Sequence, residues 1–137
     1  MPNLQLATTI DRLMRRLHVR IQAKASDFDK ENLGPTGSMV LLTLDEIGTA
    51  PLHKLTERMQ RDKSQMTRMV RQLEQKGLVT RQPSSEDARV TLLALTPSGC
   101  EVVLQVQQEV AETLEEVLSP LNQDDLATLQ AILQRAL

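Results

Sequence analysis

Aromatic side chains are almost missing from this sequence, which has one Phe, no Trp and no Tyr in 137 residues. Its core must therefore be built from aliphatic side chains and from the six methionines, and any small-molecule pocket lacks aromatic walls, Phe28 excepted. A single cysteine, Cys100, excludes an intramolecular disulfide framework and fits a reducing compartment. Long apolar runs are absent as well. The N-terminal stretch MPNLQLATTIDRLMRRL meets charge at Asp11 and Arg12 before an apolar segment of signal-peptide length develops, and no later segment approaches the roughly 20 apolar residues of a membrane span. A soluble, cytoplasmic protein with no membrane partner is expected. The only histidines, His18 and His53, form no metal-ligand spacing with each other or with Cys100, and no Gly-rich phosphate loop occurs. Nothing places a nucleophile beside a base. An enzyme, a bound metal and a cofactor are therefore not expected.

What is present is a globular composition, 40% apolar and a quarter charged, at a length that suits one domain or a domain with oligomerisation arms. The net charge of −2 argues against nucleic-acid binding only until the charges are mapped. Residues 1–57 are neutral on balance, residues 58–99 carry eight basic and four acidic side chains, and residues 100–137 carry one and seven. Binding follows the local potential more than the total, so the basic middle is the segment of interest.

Apolar residues recur every three or four positions at Leu6, Ile10, Leu13, Leu17 and Ile21, which predicts a long amphipathic first helix. A second runs from about Thr36 to Ile47, with Pro35 near its start, Gly48 as its stop and an apolar surface nearly all round. A short third helix presents Leu52, Leu55 and Met59. Asp62 with Gln65 three residues on has the pattern of a capping box and opens a fourth helix, which Gly77 ends in the manner of a left-handed cap. Leu78 to Gln82 and Arg89 to Thr96, separated by the turn-rich PSSEDA, read as a two-stranded hairpin. TPSG then restarts helix, with a valine and leucine stripe from Val102 to Leu118, and a last helix follows Asn122. Short helix, turn, helix and hairpin in that order make a winged helix-turn-helix.

The fourth helix has an unusual outer face. At about 100° per residue, Met66, Met69, Val70 and Leu73 cluster on one side, while Ser64, Arg68, Arg71 and Gln75 fall opposite, flanked by Gln65 and Thr67. Every residue on that arc donates hydrogen bonds and none is acidic. In a helix-turn-helix the start of the second helix reaches base edges, which assigns Ser64, Gln65, Thr67 and Arg68 to bases, with Lys63 also among the DNA-binding residues. Arg68 is the candidate for a bidentate contact to guanine, and Arg71 is placed to meet phosphate. At the hairpin tip Arg89 sits beside Glu86 and Asp87. A narrow minor groove attracts an inserted Arg, and Asp87 is suited to orient Arg89 across the turn.

The stretch LHKLTERMQRDKSQMTRMVRQLEQKGLVTR, the EDAR tip with its Asp87-x-Arg89, and LTPSG at Leu95 to Gly99 resemble the MarR family of transcription regulators. The resemblance implies a mainly α fold with a small β-hairpin wing: one MarR-like domain over residues 1–137, with the winged helix-turn-helix at about 33–99 and dimerisation helices at about 4–30 and 100–137. It further implies a homodimer reading a pseudo-palindrome in double-stranded DNA as a repressor. The helix from Asp62 to Lys76 enters the major groove and Arg89 the minor groove. Many members release DNA on binding a small, often anionic or aromatic compound between the arms and the winged domain. Arg15, Arg16 and His18 are the side chains suited to meet its charge. Dimerisation also has a physical basis, since the terminal stripes are longer than one small domain can cover.

Two alternatives accompany this reading. One is a winged helix used for protein contact, its basic face docking an acidic partner. The other is a redox-responsive regulator using Cys100, although peroxide-sensing members place their cysteine near the N-terminal helix whereas Cys100 follows LTPSG.

Overall fold

The start of the second helix already departs from the simplest reading of its glycine and proline. In the computed structural model, which describes residues 1–24 and 29–137, helix α2 spans Gly34–Ile47, and its first turn is capped from a distance. Leu33, at the N-cap, offers no side-chain acceptor, and the Asp29 carboxylate instead accepts the backbone N–H groups of Leu33 at 2.8 Å and Gly34 at 3.0 Å. A carboxylate there also opposes the positive end of the helix dipole. Phe28, the one aromatic residue, lies outside the described residues.

The described residues form two compact units, Ser26–Gln108 and Met1–Ala25 with Glu109–Leu137. In the first, α2 is followed by α3 (Leu52–Met59), α4 (Lys63–Gln75), the antiparallel pair β1 (Val79–Pro83) and β2 (Thr91–Leu95), and the first half of α5 (Pro97–Val117). Val40, Leu41 and Leu44 of α2, Leu55 of α3, Met66, Val70 and Leu73 of α4, Leu78, Val79, Leu93 and Val103 make one core in which each is at most 3% exposed. This is an aliphatic and methionine core, as the shortage of aromatics requires, with α2 packed against α3, α4 and β2. The architecture is a winged helix-turn-helix, mainly α with one hairpin.

The register pairs Val79 with Leu95 and Pro83 with Thr91, so β1 has the expected length shifted by one residue and β2 is shorter than the run from Arg89 to Thr96. One cross-strand bond continues past each end, Thr96 N–H to Leu78 O at 3.1 Å and Ser84 N–H to Val90 O at 2.9 Å, but the partner groups of Leu78 and Val90 are used elsewhere. Leu78 N–H closes the end of α4 on Leu73 O at 3.0 Å, and Val90 N–H bonds Asp87 O in the tip turn. Ala50 exchanges two backbone bonds with Leu93, at 3.1 and 2.8 Å, adding a one-residue third rung to the sheet. The expected capping box at Asp62 is half formed: its carboxylate accepts Gln65 N–H at 3.2 Å, and no return bond from the Gln65 side chain is made, which leaves that amide free to point outward.

Helix α4 ends in a Schellman motif. Gly77, at φ +73°, donates to Glu74 O and Leu78 to Leu73 O, while Leu73 and Leu78 pack together in the core. A methyl group at Gly77 would meet nothing within 4 Å, so only the backbone resists it. Gly77→Ala is expected to cost about 1 kcal/mol in urea unfolding, the left-handed penalty alone; a loss well beyond that would show an unrecognised steric contact. The same turn is clamped from outside by Thr96, whose hydroxyl donates to Gly77 O at 2.6 Å and accepts Gly99 N–H at 3.0 Å, while its own N–H donates to Leu78 O at 3.1 Å.

The second unit comprises α1 (Leu4–Ala23), the later part of α5 and α6 (Gln123–Ala136). Asn3 caps α1, and a complete capping box joins Asn122 and Asp125 at the start of α6. Neither α1 nor α6 contains a buried residue: Leu13, Leu17, Ile21, Leu126 and Leu129 are half-buried, and Leu6, Ile10, Ile132 and Leu133 are exposed. One carboxylate ties α1 to α5: Glu116 accepts Arg20 at 2.7 Å and Lys24 at 2.8 Å. The Lys24 hydrogen bond, then that of Arg20, holds Glu116 below the usual carboxylate range, and Glu116 in turn raises Lys24.

Candidate nucleic-acid interface

Burying Met66, Val70 and Leu73 decides which side of α4 meets solvent. Lys63, Ser64, Gln65, Arg68 and Arg71 are all exposed, together with Gln72 and Gln75. Thr67 is the exception on this face. It is half-buried, and its hydroxyl donates to Lys63 O at 2.8 Å, so it faces a ligand only with its methyl group or as an acceptor.

The eight basic side chains of residues 58–99 divide evenly between those held by the protein and those left unpaired. Arg58 is paired with Glu46 at 2.8 Å, Arg81 with Glu74 at 2.7 Å, Lys76 donates to the Glu31 carbonyl, and Arg89 is paired with Asp87. Among the described residues Arg61, Lys63, Arg68 and Arg71 make no ion pair and no side-chain hydrogen bond. They are the cations available to an anionic ligand. Arg61 lies in the turn between α3 and α4, just after the left-handed Gln60 at φ +51°, and because it precedes the helix no helical periodicity in the sequence singles it out.

At the wing tip Asp87 acts as a splint. Its Oδ1 accepts Arg89 N–H at 3.0 Å and Nε at 3.1 Å, its Oδ2 accepts Nη2 at 3.1 Å, and the Ser84 hydroxyl accepts the N–H groups of Glu86 and Asp87. The Arg89 side chain nevertheless remains 90% exposed. A guanidinium held on one edge and open on the other is aimed rather than neutralised. The Arg89 side chain first, and its backbone N–H second, hold the Asp87 carboxyl below the usual aspartate value. Because the folded value is the lower one, the clasp is complete above the ordinary aspartate range and is lost only as pH falls through the depressed value. Order in the wing, followed by NMR line widths of residues 84–90, is therefore expected to be constant from about pH 6 to 8 and to change only in acid. A change near neutrality would contradict the splint.

Arg15, Arg16 and His18 are exposed on α1, within the terminal unit. Arg15 is paired with Asp11 at 2.9 Å, and Arg12, Arg15, Arg16, Val19 and Arg20 border an open groove. Cys100 is exposed in the first turn of α5. No group of three or more His, Cys, Asp or Glu side chains placed to hold a metal occurs among the described residues, nor does any of their helices have the length and apolarity to cross a membrane.

Comparison with known proteins gives a consistent set of relatives. The model of the MarR family matches residues 34–91. The HTH-type transcriptional regulator MhqR of Bacillus subtilis is 29% identical over 106 residues, 77% of this chain and 73% of that protein. The uncharacterized HTH-type transcriptional regulator YxaD of the same organism is 31% identical over 104 residues, 76% and 73% of the two chains. Among solved structures, wild-type MarR from E. coli in its apo form aligns with a TM-score of 0.73 at 26% identity, covering 100% of this chain and 98% of that one.

Proposed function

This chain belongs to the MarR family of DNA-binding winged-helix transcription regulators, and on that premise we propose that it is a homodimeric repressor which binds a pseudo-palindromic operator and is released by a small-molecule effector. The observation that carries the reading is the presence on one unit of the unpaired cations along the exposed arc of α4 and of the exposed Arg89 held by Asp87. Ser64, Gln65 and Arg68 read base edges in the major groove, with Thr67 contributing its methyl group and Lys63 also contacting the DNA. Arg71 meets phosphate, and Arg89, aimed by Asp87, enters the minor groove. Residues 33–99 form the DNA-binding part. The segments 4–30 and 100–137 form the dimerisation arms, in keeping with the exposed apolar residues of α1 and α6. Arg15, Arg16 and His18 meet an anionic effector.

The test is selection of bound fragments from random duplex DNA. A palindrome whose half-sites lie about one helical turn apart is expected. Affinity should fall with salt at a log–log slope near −0.9 for each phosphate neutralised. A flat salt response with no sequence preference would instead favour a protein-contact module. Within the site, Arg68→Ala is expected to cost about 1 to 3 kcal/mol on the selected operator and to relax preference at one base position, whereas Arg71→Ala should weaken all duplexes alike. Equal losses for both variants on every sequence would remove the assignment of Arg68 to a base.

A further inference from the structure

Gly77 is the only residue between the end cap of α4 and Leu78 at the base of the hairpin, and it sits at a left-handed φ with open space around it. A second link spans that joint. Arg81, on β1 opposite Leu93, donates Nε to Glu74 Oε1 at 2.7 Å, joining the last turn of α4 to the base of the wing. Glu74 is the one acidic side chain within α4, and its partner occupies it. The pair is also partly exposed, with the side chains 44% and 28% accessible, so it adds little to folding stability. What it sets is direction: the major-groove helix and the minor-groove arginine are mounted on the two sides of this joint, and recognition needs both held to within a fraction of an ångström.

We propose that Arg81 is a positioning residue for DNA recognition, fixing the angle between α4 and the wing through Glu74, and is not a phosphate contact. The proposal rests on the reading that α4 and Arg89 enter neighbouring grooves. Counting basic residues leads to the opposite assignment, since Arg81 belongs to the basic segment and would ordinarily be scored as electrostatic footprint. Glu74 separates the two by sign. If the segment acts by charge alone, removing a carboxylate relieves repulsion from phosphate and tightens binding. If the pair sets an angle, the same change loosens it.

The experiment uses the full chain and the operator selected from random DNA, with an unrelated duplex of equal length, each titrated across a range of salt. Arg81→Gln, Glu74→Gln and the double variant are compared with the parent protein. Each single change is expected to lower operator affinity about fivefold. The double variant should be no worse than Arg81→Gln, while affinity for the unrelated duplex and the salt slope stay unchanged. The proposal is overturned if Glu74→Gln binds the operator more tightly. It is also overturned if Arg81→Gln loses affinity on both duplexes with a slope shallower by about 1.8, one phosphate in each half-site. A merely structural role would lower the melting temperature and weaken both duplexes in parallel, which likewise excludes the proposal. Should the parent show no preference among duplexes, the DNA reading itself fails, and that result appears before any variant is made.

Discussion

Gly99→Ala is expected to destabilise the protein by about 3 kcal/mol, the largest effect among the glycine-to-alanine changes of this chain. In an ordinary helix the change from glycine to alanine is favourable by roughly 1 kcal/mol, and Gly99 lies in the first turn of α5. The sign reverses because a Cβ built at Gly99 falls 2.1 Å from the Leu78 carbonyl oxygen and 3.1 Å from its carbon. Neither atom is free to yield. Leu78 O accepts Thr96 N–H, and Leu78 N–H closes the Schellman motif of α4. Relief of the clash therefore displaces α5, the hairpin or α4. Urea unfolding at one fixed protomer concentration, so that any dimer contributes equally, should show the midpoint of Gly99→Ala falling far below that of Gly77→Ala, where the added methyl meets nothing. Similar midpoints for the two variants would mean that α5 is not seated on Leu78 as described.

That joint also shows where the sequence is transparent and where it is opaque. Helix α4 is legible because Met66, Val70 and Leu73 recur at helical spacing between a side-chain cap and a glycine, all local signals. The wing is legible for the same reason, since PSSEDA interrupts two β-rich runs. The clamp of Thr96 on Gly77 and of Gly99 on Leu78 is not, because its partners are 19 or more positions apart and no periodicity relates them. TPSG accordingly reads as a helix start, which it is, and not as a lock on α4, which it also is. The bridge from Ala50 to Leu93 is hidden in the same way. For the site, the sequence places the reading face of α4 on the outside and brings Asp87 to Arg89. It says nothing of how the basic residues divide between ligand and protein. Arg58, Lys76 and Arg81 count as footprint until Glu46, the Glu31 carbonyl and Glu74 are seen to hold them, and the half-buried Thr67 counts as a donor until its proton is found on Lys63 O. The packed fold decides the three cations, whereas the Thr67 bond lies within α4, one turn back along the same helix.

Joint replacement of Ile10 and Leu133 by glutamate should leave the winged unit folded and yet reduce operator affinity by about 10²- to 10⁴-fold. Both side chains are exposed in the single chain, at 40% and 44%, so in an isolated protomer the charges stay in water and cost little. They become costly only if a second copy covers these faces, because an unpaired carboxylate then loses its hydration. Size makes the two cases separable: the parent chain should sediment as a dimer at micromolar concentration and the double variant as a monomer. Once monomeric, each copy retains Lys63, Arg68, Arg71 and Arg89 and binds one half-site with roughly half the parent's salt slope, since half as many phosphates are neutralised. What disappears is the second contact made at high effective concentration, and with it the preference for a palindrome over a lone half-site. A variant that stays dimeric would place the interface elsewhere than on α1 and α6. A monomeric variant that keeps full operator affinity would remove the half-site model, leaving a winged unit that reads its sequence unaided.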